Sequence, residues 1–311
     1  MLAGLEVEVE VPATSANLGA GYDSFGMALD FRDSVHARIS AEPVDPEACV
    51  TVTGEGADAL PSGADHLIHR VAREILVSRG LDVGRRMTLA CTNVIPQSRG
   101  MGSSASAVVA GIAIADALSC AAGMPEASAG TKLAWATRYE GHPDNAAPAL
   151  FGGVTISFTN IGGAAQSVSV PVAPELRVVL AVPETRLDTA VARALLPDTI
   201  PHAEAAANSA VAGLFVHAIS HDPSLLLEAT VDRLHQNYRR PAMVDSLERV
   251  DALRAAGLAA VVSGAGPTIA VLGTGADLVR RVRTVLGDDD VRIIDTVIAD
   301  AGVTTTVTEM A

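Results

Sequence analysis

The 311-residue sequence is poor in aromatic residues and in positive charge, and each shortage narrows what the chain can be. Phe, Trp and Tyr make up only 3% of the residues, against 49% hydrophobic residues in all, so the core must consist mainly of Ala, Val, Leu and Ile. The net charge is -14, which argues against binding to nucleic acid or to anionic membranes, since both need a basic surface. Any anionic ligand must therefore be held locally, by backbone amides, a few arginines and a metal.

Cysteines are scarce, and the N-terminal stretch does not resemble a secretory signal. Cys49, Cys91 and Cys120 are too few and too far apart for a disulfide framework or a zinc cluster. The N-terminal stretch MLAGLEVEVEV is acidic and alternating, unlike a secretory signal. An uncharged run at residues 257–276 is as long as a membrane span, but five glycines and Pro267 interrupt it. We therefore expect a cytoplasmic protein without a membrane segment.

The pattern of apolar residues predicts the mixture of strands and helices typical of an α+β protein. Pro12 is expected to end the first strand, and a long functional loop, PATSANLGAGYDSFG, is expected to follow it. A proline-containing stretch at residues 171–174 suggests a division into lobes 1–170 and 171–311. The predicted strands are 5–11, 35–40, 48–52, 87–95, 153–158, 177–182, 259–263, 269–272 and 291–298, and the predicted helices are 66–79, 105–118, 131–140, 203–220, 224–233 and 244–256.

Residues 93–118, NVIPQSRGMGSSASAVVAGIAIADAL, combine a strand end, a glycine-rich turn and an apolar helix. Gly100 and Gly102 allow a tight turn, and the free N–H groups and dipole of a helix start suit a phosphate. Ser103 stands where a Walker A motif has Lys, and Ala105 stands where a Rossmann fingerprint has its third Gly. Ser106 replaces the last glycine of a nucleophile elbow. A phosphate site without lysine and an ordinary turn capped by serines both remain possible.

Three segments, in this order, resemble the motifs of the GHMP kinases. They are PATSANLGAGYDSFGMALD at residues 12–30, in the form found in homoserine kinases, PQSRGMGSSAS at 96–106 and SGAGPTIAVL at 263–272. The resemblance implies an α+β fold of two lobes, the N-terminal one similar to ribosomal protein S5 domain 2 and the C-terminal one ferredoxin-like. It also implies that ATP binds with Mg²⁺ between the lobes, with its phosphates on the turn at residues 100–104. The nucleotide-binding residues implied are Asn93, Pro96, Gln97, Ser98, Arg99, Gly100, Met101, Gly102, Ser103, Ser104 and Ala105.

The stretch RYEGHPDNAAPALFGG, residues 138–153, resembles the acidic residue of these kinases followed by the His-x-Asp-Asn-x-x-Pro pattern of homoserine kinases. By this resemblance Glu140 binds Mg²⁺ together with Ser103 or Ser104, a set of oxygen donors that suits this ion. Only Gly141 separates Glu140 from His142, where many homoserine kinases have a longer loop. A hydrolase triad that uses His142 is a weaker alternative, because the sequence lacks a nucleophile elbow.

The resemblance further implies L-homoserine as the substrate and O-phospho-L-homoserine, an intermediate of threonine biosynthesis, as the product. This zwitterion needs a cation for its carboxylate and an acceptor for its ammonium group, and Arg suits the first role. The alternatives are another GHMP kinase, acting on mevalonate or a sugar, and a nucleotide sensor without activity. Relatives are commonly dimers, so a homodimer is expected, and no catalytic base is assigned. The implied substrate-binding residues are Asn17, Asp23, His142, Asn145, Thr189, Arg193 and Arg239, of which Asn145 and Arg193 are also the candidate catalytic residues.

Overall fold

The structure, a computed structural model, describes residues 2–287 and 291–309, and this part of the chain contains eleven strands and ten α-helices. The strands are β1 (Leu5–Ala16), β2 (Phe25–Ile39), β3 (Val50–Gly54), β4 (Met87–Asn93), β5 (Val154–Thr159), β6 (Ala165–Val170), β7 (Leu176–Pro183), β8 (Ala259–Val262), β9 (Ile269–Thr274), β10 (Val291–Thr296) and β11 (Thr304–Glu309). The helices are α1 (Leu67–Ser78), α2 (Ser103–Ala121), α3 (Ala129–Glu140), α4 (Ala146–Phe151), α5 (Thr189–Ala194), α6 (His202–Ser220), α7 (Leu226–Ala229), α8 (Gln236–Arg239), α9 (Val244–Ala255) and α10 (Leu278–Leu286), with short 3-10 turns at Gly84–Arg86, Pro223–Leu225 and Arg240–Ala242.

The first lobe is built on a seven-stranded sheet in the order β11-β1-β2-β4-β3, from which β5 and β6 extend beside β2. Along β1, Val7 and Val9 are buried while Glu8 and Glu10 face solvent, as expected for a strand with one covered face. Helix α2 is apolar on nearly all sides because it is the central helix of this lobe. Although α2 is long and apolar enough to cross a membrane, 67% of its most apolar stretch is buried inside the protein.

The second lobe is built on a four-stranded antiparallel sheet in the order β10-β7-β9-β8. Leu247 and Leu253 of α9 are buried against one face of it. Phe215 and Ile219 of α6 belong to a cluster on the other face, and this cluster continues into the first lobe as far as Met101. The predicted two-lobed α+β architecture is therefore confirmed, and a shared apolar core joins the lobes below the glycine-rich turn.

The connection between the first two strands is shorter than predicted. Pro12 does not end β1, which continues to Ala16, since the register with β2 shifts between Pro12 and Ala13. A proline, which has no N–H group, is tolerated at such an irregularity. The remaining loop covers only residues 17–24, and it holds Asn17 and Asp23 in left-handed conformations with φ of 69° and 55°. Such conformations in non-glycine residues often mark functional loops.

Other predicted elements differ locally. The helix predicted at residues 224–233 is wrong, because the structure has the turn Pro223–Leu225 and the short α7 there. Asp232 then accepts hydrogen bonds from the N–H groups of residues 234, 235 and 236 and starts a new turn, which ends in α8. The strand predicted at residues 291–298 is confirmed as β10 and pairs with β7. The elements absent from the prediction are α4, α5, α8, α10, β6 and β11.

The chain changes sheets between β6, which ends at Val170, and β7, which begins at Leu176. The proposed division between residues 170 and 171 falls in this interval. The last strand departs from that division, because β11 returns to the first sheet and pairs with β1. Without β11, the outer edge of β1 would present unpaired backbone groups, and its return covers them.

Candidate functional site

A cleft of about 370 Å³ opens where five connections meet. These are the connections β1–β2, β4–α2, α3–α4, β7–α5 and β8–β9, which together bring all three sequence motifs to one place. The lining residues are Asn17, Asp23, Pro96, Ser98, Gly100, Met101, Gly102, Ser103, Ser104, Tyr139, Glu140, His142, Asp144, Asn145, Leu187, Asp188, Thr189, Arg193, Arg239, Gly264 and Ala265.

The glycine-rich turn leads directly into α2, which begins at Ser103 and so two residues before the predicted start. Gly102 is the N-cap in a left-handed conformation, with φ of 70°, and the first N–H groups of a helix have no partners within it. Ser103 and Ser104, in the first turn, line the cleft. The turn is held from the second lobe as well, because the hydroxyl of Ser263 donates a 2.6 Å hydrogen bond to the carbonyl of Gly100. The helix start therefore offers donors and a positive dipole end to a ligand in the cleft.

We expect Gly102→Ala to destabilise the protein by about 2–4 kcal/mol, combining the cost of a left-handed residue with that of overpacking. A Cβ atom at Gly102 would lie 1.9 Å from the Oγ1 atom of Thr14. Urea unfolding measures the loss. Gly123→Ala is the matched control, since Gly123 has φ of +85° but no atom within 4 Å of an added Cβ. Equal losses in the two variants would contradict the steric argument.

Glu140 ends α3 opposite the start of α2, and its Oε1 atom accepts a 2.6 Å hydrogen bond from the hydroxyl of Ser104. Partial burial raises the pKa of Glu140, while the Ser104 hydroxyl and the charge of His142 act in the opposite direction. A nearby cation would relieve the cost of burying this carboxylate. A carboxylate and a hydroxyl are oxygen donors of the kind that Mg²⁺ prefers, so this pair fits the implied metal. The described residues contain no group of three or more His, Cys, Asp or Glu that could hold a metal by themselves.

His142, Asp144 and Asn145 form a hydrogen-bonded group after α3. The Oδ1 atom of Asp144 accepts from the ring Nδ1 of His142 and, at 2.9 Å, from the backbone N–H of Asn145. The hydrogen bond to Asp144 raises the pKa of His142. The Oδ1 atom of Asn145 accepts a 2.8 Å bond from the hydroxyl of Thr14, which leaves the two N–H donors of its side chain for the cleft.

Arg193 projects from the short helix α5 towards the loop between β1 and β2. Its two terminal nitrogens bind both carboxylate oxygens of Asp23, at 2.7 and 3.1 Å, and one of them donates to the Tyr22 hydroxyl at 3.0 Å. Asn17 fixes this loop, because its Oδ1 atom accepts from the N–H of Asp23 and its Nδ2 atom donates to the carbonyl of Gly264. A cation and an anion thus lie side by side in the cleft.

Arg239 belongs to α8 and is only 1% exposed. It donates to the carbonyl of Gly264 at 3.2 Å and to the Nδ1 atom of His235 at 3.3 Å, and its guanidinium carbon lies 5.5 Å from the centre of the Tyr22 ring. Its Nε atom is buried and has no hydrogen-bond partner within residues 2–287 and 291–309. A buried donor without a partner at the wall of a cleft is suited to a ligand acceptor.

Comparison with known proteins identifies the family of the chain. The sequence profile described as GHMP kinases N terminal domain matches residues 66–153. Homoserine kinases of Streptomyces avermitilis and Mycobacterium tuberculosis are 43% and 40% identical to the chain, and each alignment covers 89% of it and 89% or 87% of the relative. The chain belongs to the homoserine kinases, a family of GHMP kinases. The homoserine kinase structure from Cytophaga hutchinsonii, at 24% identity, has the same fold, with a TM-score of 0.81 and 97% of each chain covered.

Most residues implied by the homoserine kinase motifs do lie at the cleft, but four do not line it. Asn93 and Gln97 line a neighbouring cavity of about 310 Å³, which shares Ser98, Ser103 and Ser104 with the cleft. Arg99 points away and donates to the carbonyls of Gln97, Pro183 and Glu184. Ala105 is fully buried beneath the turn.

The sequence argument missed two residues that lie beside the cleft. Tyr22 and His235 surround the two arginines, with ring centres 5.3 Å apart. Tyr22 stands inside the first motif, next to Asp23, so its position could have suggested it. His235 precedes the short helix α8 without any recognisable pattern, and only the fold brings it to the site.

Proposed function

We propose that the chain transfers the γ-phosphoryl group of Mg·ATP to the side-chain hydroxyl of L-homoserine, giving O-phospho-L-homoserine and ADP. The observation that carries this proposal is the arrangement of one cleft. A helix start suited to phosphates lies at one side of it. At the other side lie Arg193 and Asp23, whose opposite charges suit the carboxylate and the ammonium group of an amino acid. The homoserine kinase family of the chain supports the same conclusion.

The triphosphate is proposed to lie on the turn at residues 100–104, against the free N–H groups that begin α2. The base would then enter the neighbouring cavity, because this cavity meets the cleft at Ser103 and Ser104 and because apolar side chains, Leu67 and Ile68 among them, form part of its wall. Asn93 and Gln97, which line this cavity, keep their proposed role in nucleotide binding. The guanidinium of Arg99 binds three backbone carbonyls, so any contribution of this residue to nucleotide binding is proposed for its backbone.

Ser104 and Glu140 are the residues proposed to hold Mg²⁺, with Ser103 as the alternative hydroxyl. When bound, the ion supplies positive charge to the phosphate oxygens. The carboxylate of Glu140 would point at that position because the end of α3 holds it opposite the first turn of α2.

Homoserine is proposed to replace the ion pair between Arg193 and Asp23 with new ion pairs to its own charged groups. Its ammonium group takes the place of Arg193 beside Asp23, and its carboxylate binds Arg193 and Arg239. Thr189 at the start of α5 and His142 line the remaining wall.

Phosphoryl transfer depends mainly on positioning and charge stabilisation. Asn145, whose Oδ1 atom is fixed by Thr14, is proposed to donate an N–H group to the substrate hydroxyl and so to aim it at the γ-phosphorus. The proton of that hydroxyl is lost late in the transfer, and no side chain is assigned as its acceptor.

A coupled ADP-release assay with homoserine, mevalonate, galactose and no acceptor tests this function. We expect turnover with homoserine at least roughly a hundredfold above the others, because a site that binds an ammonium and a carboxylate group rejects mevalonate, which lacks the first, and galactose, which lacks both. Turnover with mevalonate or galactose would support another GHMP kinase activity. ATP binding without transfer to any acceptor would indicate a nucleotide sensor.

Replacing Arg193 with Ala should raise KM for homoserine roughly 10- to 100-fold through the loss of a charge-assisted bidentate contact. The KM for ATP should stay unchanged, since Arg193 is on the far side of the cleft from the base cavity. Steady-state kinetics with each substrate varied in turn measure the two KM values. Arg186→Ala removes an exposed arginine from the connection that leads from β7 into α5 and serves as the control. Unchanged homoserine kinetics in Arg193→Ala would remove this residue from the site.

We further propose that the enzyme acts in threonine biosynthesis in the cytoplasm, as a homodimer, with residues 1–170 and 171–311 as its two lobes apart from the returning strand β11. Size-exclusion chromatography with light scattering tests the dimer.

A further inference from the structure

The turn before α8 places a buried histidine ring between α8 and the loop at residues 17–24. Asp232 accepts hydrogen bonds from the N–H groups of residues 235 and 236, at 3.1 and 2.6 Å, and so fixes the backbone that carries His235. The side chains of Asp232 and His235 are 1% and 0% exposed. A polar ring so shielded from solvent needs its hydrogen-bond partners inside the protein.

Both ring nitrogens of His235 have partners, and these partners define the position of the proton. The Nδ1 atom lies 3.3 Å from the Nη1 atom of Arg239, which can only donate, so Nδ1 must accept. The Nε2 atom then carries the proton and donates it to the carbonyl of Gly19 at 3.1 Å. The other tautomer would place two donors against each other and two acceptors against each other. Burial lowers the pKa of His235, and the charge of Arg239 adds to this effect against the opposing charge of Asp232, so the ring is uncharged at neutral pH.

The contact with His235 also decides which side of the Arg239 guanidinium remains available. The Nη1 atom of Arg239 donates to His235 and, at 3.2 Å, to the carbonyl of Gly264. The Nε and Nη2 atoms make no hydrogen bond within residues 2–287 and 291–309. These two atoms form the side of a guanidinium that can bind a carboxylate with two parallel hydrogen bonds. Because Nη1 is anchored, that side is left for a ligand of the cleft.

The same ring connects Arg239 to the loop at residues 17–24. Its Nε2 atom donates to Gly19, which has φ of 82° and is packed so closely that an added Cβ atom would lie 2.5 Å from the backbone of the segment before α8. Asp23, the proposed acceptor for the substrate ammonium group, follows in the same loop. His235 therefore lies between the guanidinium proposed to bind the substrate carboxylate and the loop proposed to bind its ammonium group.

We propose that His235 is a positioning residue, which holds the guanidinium of Arg239 and the loop at residues 17–24 in the relative placement that an amino-acid substrate needs. The ring does not line the cleft itself. Its Nδ1 atom fixes Arg239 through Nη1, and its Nε2 atom fixes the loop through Gly19. The substrate then binds without first having to order a buried arginine, a step that would reduce its affinity. The inference rests on the proposed function in taking the carboxylate of homoserine as the ligand of Arg239.

Two amide substitutions separate the roles of the ring nitrogens. His235→Asn can place its amide oxygen near the position of Nδ1 and keeps an acceptor for Arg239, whereas His235→Gln reaches the position of Nε2 and keeps only the donor to Gly19. We expect KM for homoserine to rise roughly tenfold or more in His235→Gln and at most about threefold in His235→Asn, since a hydrogen bond to a charged group is lost only in the first. The KM for ATP should stay unchanged in both. His221→Asn alters an exposed histidine at the end of α6 and should behave like the native enzyme.

A double-mutant cycle with Arg239→Met shows whether His235 acts through Arg239. If it does, adding His235→Gln to Arg239→Met should change KM for homoserine by less than about twofold, because the group that the ring positions is already gone. A merely structural histidine would add its full effect on KM in both backgrounds, together with a lower melting temperature. Additive effects on KM, or equal KM values in His235→Asn and His235→Gln, would overturn the inference.

The state of the ring can be measured without any substrate. Nitrogen NMR of enzyme that contains isotope-labelled histidine distinguishes protonated from unprotonated ring nitrogens, and the signals that disappear in His235→Asn belong to His235. We expect a proton on Nε2 and none on Nδ1 at neutral pH. A proton on Nδ1 would overturn the inference even if homoserine is the substrate. If the native enzyme shows the expected tautomer but no turnover with homoserine, the proposed function fails, and the anchoring of Arg239 by His235 stands.

Discussion

Replacing Glu140 with Ala is expected to lower kcat at least roughly 10²-fold, by analogy with the loss of one charge-stabilising group at a reacting centre. Glu140 contributes the carboxylate proposed to hold the metal, and it accepts a 2.6 Å hydrogen bond from the Ser104 hydroxyl. Folding should be unaffected, because the variant removes a carboxylate whose charged form is disfavoured by partial burial. Turnover at saturating ATP and homoserine, measured over a series of Mg²⁺ concentrations, gives the effect.

Glu248→Ala is the control, since Glu248 is an exposed glutamate of α9, in the second lobe. Its kinetics should match those of the native enzyme. Both Ser104→Ala and Glu140→Ala should raise the Mg²⁺ concentration needed for half-maximal turnover. Ser104→Ala should lose less turnover, because a hydroxyl carries no charge. Near-normal turnover in Glu140→Ala would end the metal assignment, and the Gly102 turn alone would then have to account for phosphate binding.

The parts of the site that depend on local backbone were predictable from the sequence. Gly100 and Gly102 indicate a tight turn with backbone conformations that favour glycine. The apolar run after Ser104 indicates a buried helix. The start of that helix was placed two residues late because serine is the usual N-cap, whereas here the left-handed Gly102 takes that position. The stretch RYEGHPDN likewise allowed Glu140 to be predicted at the end of a helix.

Parts that depend on distant pairing were not predictable. Arg193 and Asp23 are 170 residues apart in sequence, and nothing in either motif says that they bind each other. Strand β11 was missed because a short, exposed run of Thr and Val gains its stability only from pairing with β1.

Replacing Arg239 with Met should separate function from stability. The KM for homoserine is expected to rise roughly 30- to 10³-fold, about 2–4 kcal/mol, because a buried charged contact to the substrate carboxylate is lost. The melting temperature of the free enzyme should not fall. Burial lowers the pKa of Arg239, which reflects the cost of a cation in this position, and methionine fills a similar volume without a charge. The carbonyl of Gly264 keeps its 2.8 Å hydrogen bond from Asn17.

Arg240→Met is the matched control for this prediction, because the two arginines are adjacent in sequence but differ in surroundings. Arg240 is partly exposed and pairs with Asp251 at 2.9 Å on the surface, a kind of ion pair that contributes little. We expect neither homoserine kinetics nor melting temperature to change in that variant. If Arg239→Met instead unfolded at a lower temperature with unchanged KM, the buried guanidinium would be a structural link between α8 and the β8–β9 turn. If KM rose at constant stability, the unpartnered Nε atom would be explained as a donor kept free for the substrate. A buried arginine without this partner lowers the stability of the free enzyme, and only the carboxylate of bound homoserine makes its charge favourable.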